Sequence, residues 1–260
     1  MTTWDPDQYQ RFQIQRDRPA LDLMLQIPAD LDPGEIWDLG CGTGEHAALL
    51  ARRHPQARVH VLDSSPDMLA RAAAREEAVD WVQGDIATWA PTSPPDLIFT
   101  NAALHWLDDH AGLFARLAGC LAPGGVLACQ MPMTWGAPTH VMLRETAAEG
   151  PWAGALSGVQ GVRRLLDPER YWEILSPLCP EVNIWSTAYL QVLRAGPDEN
   201  AVVEWLKGTG LRPYLDALSP DLTQSFLDAY ASRLAAAFPR RSDGSTLLPY
   251  PRLFLVARRG

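Results

Sequence analysis

The stretch that most constrains this 260-residue chain is residues 36–44, Ile-Trp-Asp-Leu-Gly-Cys-Gly-Thr-Gly. It predicts a short buried strand that runs into a turn with glycine at positions 40, 42 and 44, followed at once by a helix over residues 45–53. Glycine leaves no Cβ between the backbone and a ligand, and the start of a helix offers free N–H groups. The stretch therefore predicts a nucleotide-type site at the carboxyl end of a parallel strand.

Negative charge at this turn separates two classes of cofactor. A dinucleotide requires G-x-G-x-x-G, because its pyrophosphate lies on the helix N-terminus. Here the spacing is G-x-G-x-G, and Glu45 stands where the third glycine belongs, so that its carboxylate would repel a pyrophosphate. Asp38 adds a second negative charge. The turn favours a ligand with a cationic end, such as the amino group and sulfonium of S-adenosylmethionine; a tight turn without a ligand is the alternative.

Composition limits the partners of the chain. The formal net charge of −9 argues against a nucleic-acid substrate, which would require a basic face, but a small anion could be held by a few arginines. The four cysteines form no C-x-x-C pair, so we expect neither a metal site nor disulfides. No apolar run reaches membrane-spanning length, and residues 1–12 lack the apolar core of a signal peptide. We expect a soluble cytoplasmic protein without a membrane partner.

Three further predicted strands also end in polar residues. Asp63 ends the strand over residues 59–63, about twenty residues after the glycine turn, where an acid can accept both hydroxyls of a ribose. Asp85 follows the strand over residues 79–82 and could accept from the exocyclic amine of adenine, with Ile86 packed on the ring; a turn aspartate is the alternative. Asn101 ends the fourth strand, and His105 and Trp106 follow where the transferred group would lie.

The alternation of strands and helices predicts an α/β fold with a Rossmann-like parallel sheet. Residues 1–30 form an N-terminal flap and first helix, and residues 31–132 form the cofactor-binding core. Insertions over residues 133–165 and 197–240 form a helical cap, and residues 166–196 and 246–260 complete the core. The further predicted elements are helices over residues 16–27, 66–75, 109–121, 139–149, 168–178, 198–207 and 219–238, loops over residues 132–138 and 150–161, and strands over residues 96–101, 126–131, 182–192 and 253–257.

The chain resembles the class I S-adenosylmethionine-dependent methyltransferases in residues 38–44, Asp63 and Gly84-Asp85. It further resembles the trans-aconitate methyltransferase family of that class along nearly its whole length. The segments that carry this resemblance are Trp4-Asp5-Pro6, Arg16-Asp17-Arg18-Pro19, Asp63-Ser64-Ser65-Pro66, Gln130-Met131-Pro132, Pro138-Thr139-His140-Val141, Thr209-Gly210-Leu211-Arg212-Pro213 and Pro251-Arg252-Leu253-Phe254. The glycine turn is shared by many methyltransferases, whereas the other segments are far more specific. Glu45-His46 departs from the residues usual in the family.

The resemblance implies a seven-stranded, mostly parallel sheet whose last strand is antiparallel, and methyl-ester formation on trans-aconitate with S-adenosyl-L-homocysteine as the second product. The cofactor-binding residues expected are Asp38, Gly40, Gly42, Gly44, Asp63, Ser64, Met68, Asp85, Ile86 and Asn101. The substrate-binding residues expected are Trp4, Tyr9, Arg18, Trp106, Arg212, Tyr250 and Arg252, with Arg16 as a fourth arginine. No catalytic base or metal is expected, because a carboxylate acceptor is already ionised at neutral pH; His105 and Trp106 would only position the acceptor.

Three alternatives remain open from the residues alone. Another small-molecule methyltransferase would share the cofactor site, and a methyltransferase-like protein could hold the cofactor without turnover. A nicotinamide dehydrogenase would also use a glycine turn, although Glu45 counts against it. The sequence leaves the oligomeric state, the methylated carboxylate and movement of the cap undetermined.

Overall fold

A computed structural model describes residues 13–73 and 79–260 and contains a seven-stranded sheet in the order β3-β2-β1-β4-β5-β7-β6. The strands are β1 (Glu35–Leu39), β2 (Arg58–Asp63), β3 (Val79–Gln83), β4 (Leu97–Asn101), β5 (Val126–Pro132), β6 (Glu181–Arg194) and β7 (Ser245–Arg258). The helices are α1 (Gln13–Met24), α2 (Glu45–Arg53), α3 (Pro66–Ala72), α4 (His110–Cys120), α5 (Pro138–Ala148), α6 (Ala153–Leu156), α7 (Pro168–Leu175), α8 (Ala201–Lys207), α9 (Arg212–Ala217) and α10 (Pro220–Ala237), with a 3₁₀ turn over Leu104–Trp106. The predicted α/β class is confirmed.

Strands β1 to β5 are parallel, which brings their carboxyl ends to one edge of the sheet. Leu39 of β1 pairs with Leu62 of β2, and Asp38 pairs with Phe99 of β4. At the end of β4, Asn101 pairs with Gln130 of β5. Because the sheet centre is buried on both faces, these strands are nearly continuous apolar runs, and their polar residues come at the ends.

Strand β7 runs antiparallel to β5, as the resemblance implied. The N–H of Gly124 donates to Arg259 O, and the N–H of Arg259 donates to Gly125 O, at 3.0 and 2.8 Å. The strand begins at Ser245, eight residues before the predicted start, and passes through Pro249 and Pro251. The prolines hid this half of the strand because they cannot donate a ladder hydrogen bond, but Pro251 O still accepts from the Met133 N–H at 2.9 Å.

The chain divides into two compact units at five points, three of which fall inside α1, β6 and β7. The first, here called the sheet unit, comprises Arg18–Pro132, Leu165–Thr187 and Leu253–Gly260. The other, here called the second unit, comprises Met1–Asp17, Met133–Arg164 and Ala188–Arg252. The second unit has its own apolar core, which includes the fully buried side chains of Trp205, Phe226 and Tyr230. The predicted division into flap, core and cap stays a prediction.

Helix α1 differs from its prediction in its bounds. It extends from Gln13 to Met24, and Pro19 lies inside it instead of near its start. The lost hydrogen bond is tolerated because Pro19 is buried, as are the following Ala20 and Leu23. Leu21 and Leu25 are exposed, and the face that packs is formed by Ala20, Leu23, Met24 and Ile27.

Two short helices were not predicted. Helix α6 lies in the segment 150–161, which was predicted as a loop. Helix α9 lies between the two helices predicted over residues 198–207 and 219–238, shortly after the Gly-Thr-Gly segment at residues 208–210. Four- and six-residue helices have too little sequence for a periodic pattern, and both are held by packing of Leu156 and Tyr214 into the core of the second unit. Among the described helices, none combines the length and the apolar character that crossing a membrane requires.

A buried hydrogen-bonded pair joins α4 and α7 in the sheet unit. Nδ1 of His110 lies 2.5 Å from the hydroxyl of Tyr171, and Nε2 lies 3.1 Å from Leu104 O. The carbonyl can only accept, so Nε2 carries the ring proton and Nδ1 accepts from the tyrosine. Burial lowers the pKa of His110, which keeps the ring neutral. The pair therefore fixes the start of the 3₁₀ turn that carries His105 and Trp106.

Replacing Tyr171 by phenylalanine should destabilise the protein by about 1–3 kcal/mol, because Nδ1 of His110 would remain buried without a donor. Urea denaturation measures this difference. Trp172→Phe is the matched control on the same helix; its side chain is 54% exposed, and we expect a change within about 0.5 kcal/mol. Equal effects of the two substitutions would contradict a structural role for the His110–Tyr171 pair.

Candidate active site

The glycine turn after β1 is bound to the end of β2 through its backbone. The N–H groups of Gly40 and Cys41 both donate to Leu62 O, at 2.7 and 3.2 Å. The next N–H, of Gly42, donates to Oδ2 of Asp63 at 2.9 Å. The turn is therefore fixed before any ligand arrives.

Asp63 connects this turn with the one that follows β2. Its other oxygen, Oδ1, accepts from the Ser65 N–H at 2.9 Å, and Ser65 Oγ caps α3 by accepting from the Met68 N–H at 3.4 Å. Each carboxylate oxygen thus has one backbone donor and keeps a lone pair for another. Such a half-satisfied carboxylate at a strand end suits the hydroxyl pair of a ribose.

Asp38 is a buried carboxyl group at the end of β1, with 1% of its surface exposed. Among the described residues Oδ2 has no hydrogen-bond partner. Burial raises the pKa of Asp38 to about 7; His46 opposes this shift, and the carboxylates of Asp63 and Glu45 add to it. A buried acceptor without a donor is costly, so the group is suited to a cationic ligand.

Gly40 and Gly42 need glycine for different reasons. Both have positive φ, of 76° and 56°. A Cβ on Gly40 would lie 2.3 Å from Cβ of Ala103, whereas a Cβ on Gly42 would meet nothing within 4 Å. Gly40 therefore lets the chain after β4 approach closely, and Gly42 leaves open space beside the turn. Gly44, also at positive φ, is the N-cap of α2.

A strained residue at the end of β4 was not predicted. Ala102 has φ of 54°, which is unusual for a residue with a Cβ, and its N–H donates to Gln130 O at 2.9 Å. The residue after it, Ala103, lies against Gly40. The residue before it is Asn101, whose Oδ1 has no hydrogen-bond partner among the described residues. Nothing in the single sequence marks Ala102, since alanine is not a residue typical of positive φ.

The residues predicted to bind adenine lie after β3. Oδ1 of Asp85 accepts from the Ala87 N–H at 2.8 Å, which is the hydrogen bond of an Asx turn. The residue is exposed, and its second carboxylate oxygen is available. Ile86 is buried. The structure thus shows the turn geometry and leaves the adenine role a prediction. Of the remaining cofactor candidates, Ser64 is exposed and Met68 half-buried.

The residues predicted to position the methyl acceptor lie on the 3₁₀ turn after β4. His105 is buried, and its ring lies 4.7 Å from that of Trp106, which is 37% exposed. This contact and the support from His110 hold the turn. The positioning role of His105 stays a prediction.

The predicted substrate residues fall into an exposed and a buried group. Arg18 and Arg212 are exposed, with aspartates one helical turn away at 3.9 and 3.8 Å. Tyr250 and Arg252 are buried in the second unit, where Cζ of Arg252 lies 5.0 Å from the ring of Tyr250. Trp4 and Tyr9 lie outside the described residues. Their roles stay predictions.

Arg16 is the buried arginine of its segment, with 8% of its surface exposed. Its guanidinium lies over the ring of Trp205 at 5.3 Å, and Nη2 donates to Trp205 O at 3.4 Å. The ring of Trp205 in turn contacts Tyr250 edge-on at 5.5 Å. Arg16, Trp205, Tyr250 and Arg252 therefore form a connected set in the second unit. The sequence pointed to Arg16, Tyr250 and Arg252 and missed Trp205.

Comparisons with known proteins decide the family. The Methyltransferase domain model matches residues 36–125. The trans-aconitate 2-methyltransferase of Acidovorax ebreus (strain TPSY) is 48% identical over 262 residues, covering 100% of this chain and 99% of its own. That of Azoarcus sp. (strain BH72) is 47% identical over 259 residues and covers 100% of both chains. The chain belongs to the trans-aconitate 2-methyltransferase family.

A distant solved structure shows the same fold. Phosphoethanolamine N-methyltransferase 2 from Haemonchus contortus, in complex with S-adenosyl-L-methionine, has a TM-score of 0.55 at 17% identity and covers 93% of this chain and 52% of its own. As a trans-aconitate 2-methyltransferase family member, the chain is a methyltransferase that uses S-adenosylmethionine. Its site fits that cofactor, because Asp38 presents a buried acceptor for an ammonium and Gly42 leaves the turn open.

Gly40→Ala and Gly42→Ala should separate folding from binding in this family member. Gly40→Ala combines left-handed strain with overlap against Ala103, so it should lower the free energy of unfolding by more than the about 1–2 kcal/mol of strain alone. Gly42→Ala should cost only that strain and chiefly weaken cofactor binding. Urea denaturation and calorimetry measure the two quantities; a more stable Gly40→Ala variant would refute the close-approach argument.

Cofactor affinity should rise with pH through the pKa of Asp38. The ionised carboxylate binds the cationic ligand, and with a pKa near 7 it is about one-tenth ionised at pH 6 and about nine-tenths at pH 8. Calorimetry with S-adenosyl-L-homocysteine should therefore show about tenfold weaker binding at pH 6 than at pH 8. The ionisable groups of the ligand titrate in the same way with wild type and with Asp38→Asn, so this variant isolates the contribution of Asp38. It should bind weakly, and its affinity should depend much less on pH. The same pH dependence of affinity as in wild type would contradict the assignment.

Proposed function

We propose that this enzyme transfers the methyl group of S-adenosylmethionine to a carboxylate of trans-aconitate, forming a methyl ester and S-adenosyl-L-homocysteine. The observation that carries the proposal is full-length membership of the family, joined to a glycine turn fixed by Asp63 and flanked by the buried Asp38. A site of this kind serves cofactor binding in many methyltransferases, so the substrate comes from the family relationship.

Different residues of the chain would bind different parts of the cofactor. Asp38 would hold the ammonium group, Asp63 the ribose hydroxyls, and Asp85 with Ile86 the adenine. When bound, the cofactor supplies a methyl group on a positively charged sulfur, which is already a strong electrophile. The protein therefore needs to bind and orient the two reactants, and orientation alone can lower the barrier by several kcal/mol.

No residue is required to remove a proton from the acceptor. A carboxylate titrates near pH 4 and reaches the enzyme ionised. We therefore assign His105 and Trp106 to shaping the turn after β4 and to limiting water, and no general base is assigned. Because opposite charges are neutralised as the ester forms, a site with little water favours the reaction.

The carboxylates of the substrate that do not react would be paired with arginines. Guanidinium groups bind carboxylates through two parallel hydrogen bonds. Arg16 and Arg252 are buried beside Trp205 and Tyr250, where a charge-assisted bond is strong. Arg18 and Arg212 are exposed and could contribute a weaker, more screened attraction. Trp4 and Tyr9 remain candidates from the sequence.

Location and partners belong to the same proposal. A cytoplasmic location is supported by four cysteines that form no disulfide in the structure, Cys41, Cys120, Cys129 and Cys179. The net charge of −9 supports a small-molecule substrate in place of a nucleic acid.

A methyl-transfer assay with labelled S-adenosylmethionine tests the function. The acceptors are trans-aconitate, cis-aconitate, citrate, isocitrate and a phenol. We expect base-labile label on trans-aconitate, since an ester hydrolyses in base. Label on another acid alone would keep the chemistry and replace the substrate. Cofactor binding without label on any acceptor would contradict turnover of these substrates.

A further inference from the structure

The second unit contains a cavity of about 500 Å³ that none of the residues discussed as cofactor or substrate ligands line. Its walls come from α5, α6, the segment after α6 and the turn before α9. This volume falls in the range of about 300–1,000 Å³ that is typical of small-molecule sites. Leu143, Leu156 and Val162 supply apolar surface, so the cavity is only partly polar.

The charge of this cavity has one sign. Arg144 and Arg163 line it, and among the described residues that do so there is no aspartate or glutamate. In a chain with 31 acidic and 22 basic residues, a cavity with two arginines and no acid selects against cations. Arg163 is held by a hydrogen bond to Gln160 Oε1, which also lines the cavity.

Arg144 is positioned with its hydrogen-bond donors available. Its Cζ lies 4.0 Å from the ring centre of Trp135, a stacking contact that occupies the face of the guanidinium and leaves its edge for a planar anion. The acids nearest to it in sequence are engaged elsewhere, because Arg233 of α10 pairs with both Glu145 and Glu149. Across residues 13–73 and 79–260, no carboxylate pairs with Arg144.

His140 contributes a neutral polar wall. Its ring nitrogens lie 3.3 Å from Thr134 Oγ1 and 3.0 Å from Thr139 Oγ1. Burial lowers the pKa of His140 to about 4, and the charge of Arg144 acts in the same direction. A Cβ at Gly210 would lie 2.7 Å from Nε2 of His140, so the turn before α9 closes against this ring.

We propose that this cavity binds a small di- or tricarboxylate, with Arg144 and Arg163 each holding a carboxylate and the apolar wall contacting the carbon chain. The inference rests on the proposed function for its choice of acid, since the enzyme acts on such molecules. The occupant is either the acceptor substrate itself or a second molecule of the same chemistry. Two arginines suit this ligand, because each guanidinium can bind a carboxylate through two parallel hydrogen bonds.

Calorimetry with tricarballylate, a saturated tricarboxylate, tests the site in the full-length protein without cofactor. Arg144→Gln and Arg163→Gln should each weaken binding about tenfold or more, as expected for loss of a charge-assisted hydrogen bond. Arg144→Lys should lie between wild type and Arg144→Gln, because it keeps the charge and loses the fork. Arg164→Gln is the matched control, since Arg164 is exposed and adjacent but does not line the cavity; we expect a change below twofold.

Two further measurements make the result specific. Tricarballylate should change the fluorescence of the wild type, and Trp135→Phe should remove most of that change. Thermal melting and binding of S-adenosyl-L-homocysteine, whose predicted ligands lie in the sheet unit, should stay as in wild type in each variant. These controls distinguish a lost contact from a lost fold.

The kinetic arm identifies the occupant. A raised KM for trans-aconitate in Arg144→Gln and Arg163→Gln would support the cavity as a place for the acceptor. Lost tricarballylate binding with KM unchanged would support a second molecule. Wild-type affinity in both variants, or no binding to wild type, would overturn the proposal. Because the titration contains no cofactor, it remains decisive even if the methyl-transfer assay fails.

Discussion

The cofactor site depends on one carboxylate that binds the backbone of two separate turns. Asp63 accepts from Gly42 in the turn after β1 and from Ser65 in the turn after β2. These hydrogen bonds, with those from Gly40 and Cys41 to Leu62 O, set the height of the glycine turn above the sheet. Because the turn is held in this way, the open space beside Gly42 is held in place as well. An acid at the end of β2 therefore holds the glycine turn in place, in addition to the ribose-binding role proposed for it.

Much of the sheet unit could be predicted because its information is local. Apolar runs of strand length end in polar residues, and Ser65-Pro66 marks a helix start by cap and backbone geometry alone. The approach of Ala103 to Gly40 could not be predicted, since it joins residues that are distant in sequence. The same holds for the first half of β7, where Pro249 and Pro251 suggest a loop until their neighbouring strand is known. Arg144 was missed because a helical arginine beside acids usually forms local ion pairs, and here Arg233 takes those acids.

Burial acts in opposite directions on two titratable groups of this protein. In Asp38 it raises the pKa to about 7, so that a cationic ligand can tip the group into its charged form near neutral pH. In His140 it lowers the pKa to about 4, so that the ring is neutral near neutral pH. The first group is thus responsive to its ligand, and the second is a fixed hydrogen-bonding wall. The same physical effect prepares a candidate binding group in one place and a constant surface in the other.

In the second unit, the turn at residues 208–210 lies between Arg16 on one side and the cavity residue His140 on the other. A Cβ at Gly208 would lie 2.7 Å from Nη2 of Arg16, and one at Gly210 would lie 2.7 Å from Nε2 of His140. With no side chain to absorb a shift, displacement of the turn by one neighbour is felt directly by the other. Free-energy changes from substitutions at Arg16 and His140 therefore share a common element and are not expected to add. This short backbone segment therefore links the arginine set to the cavity wall.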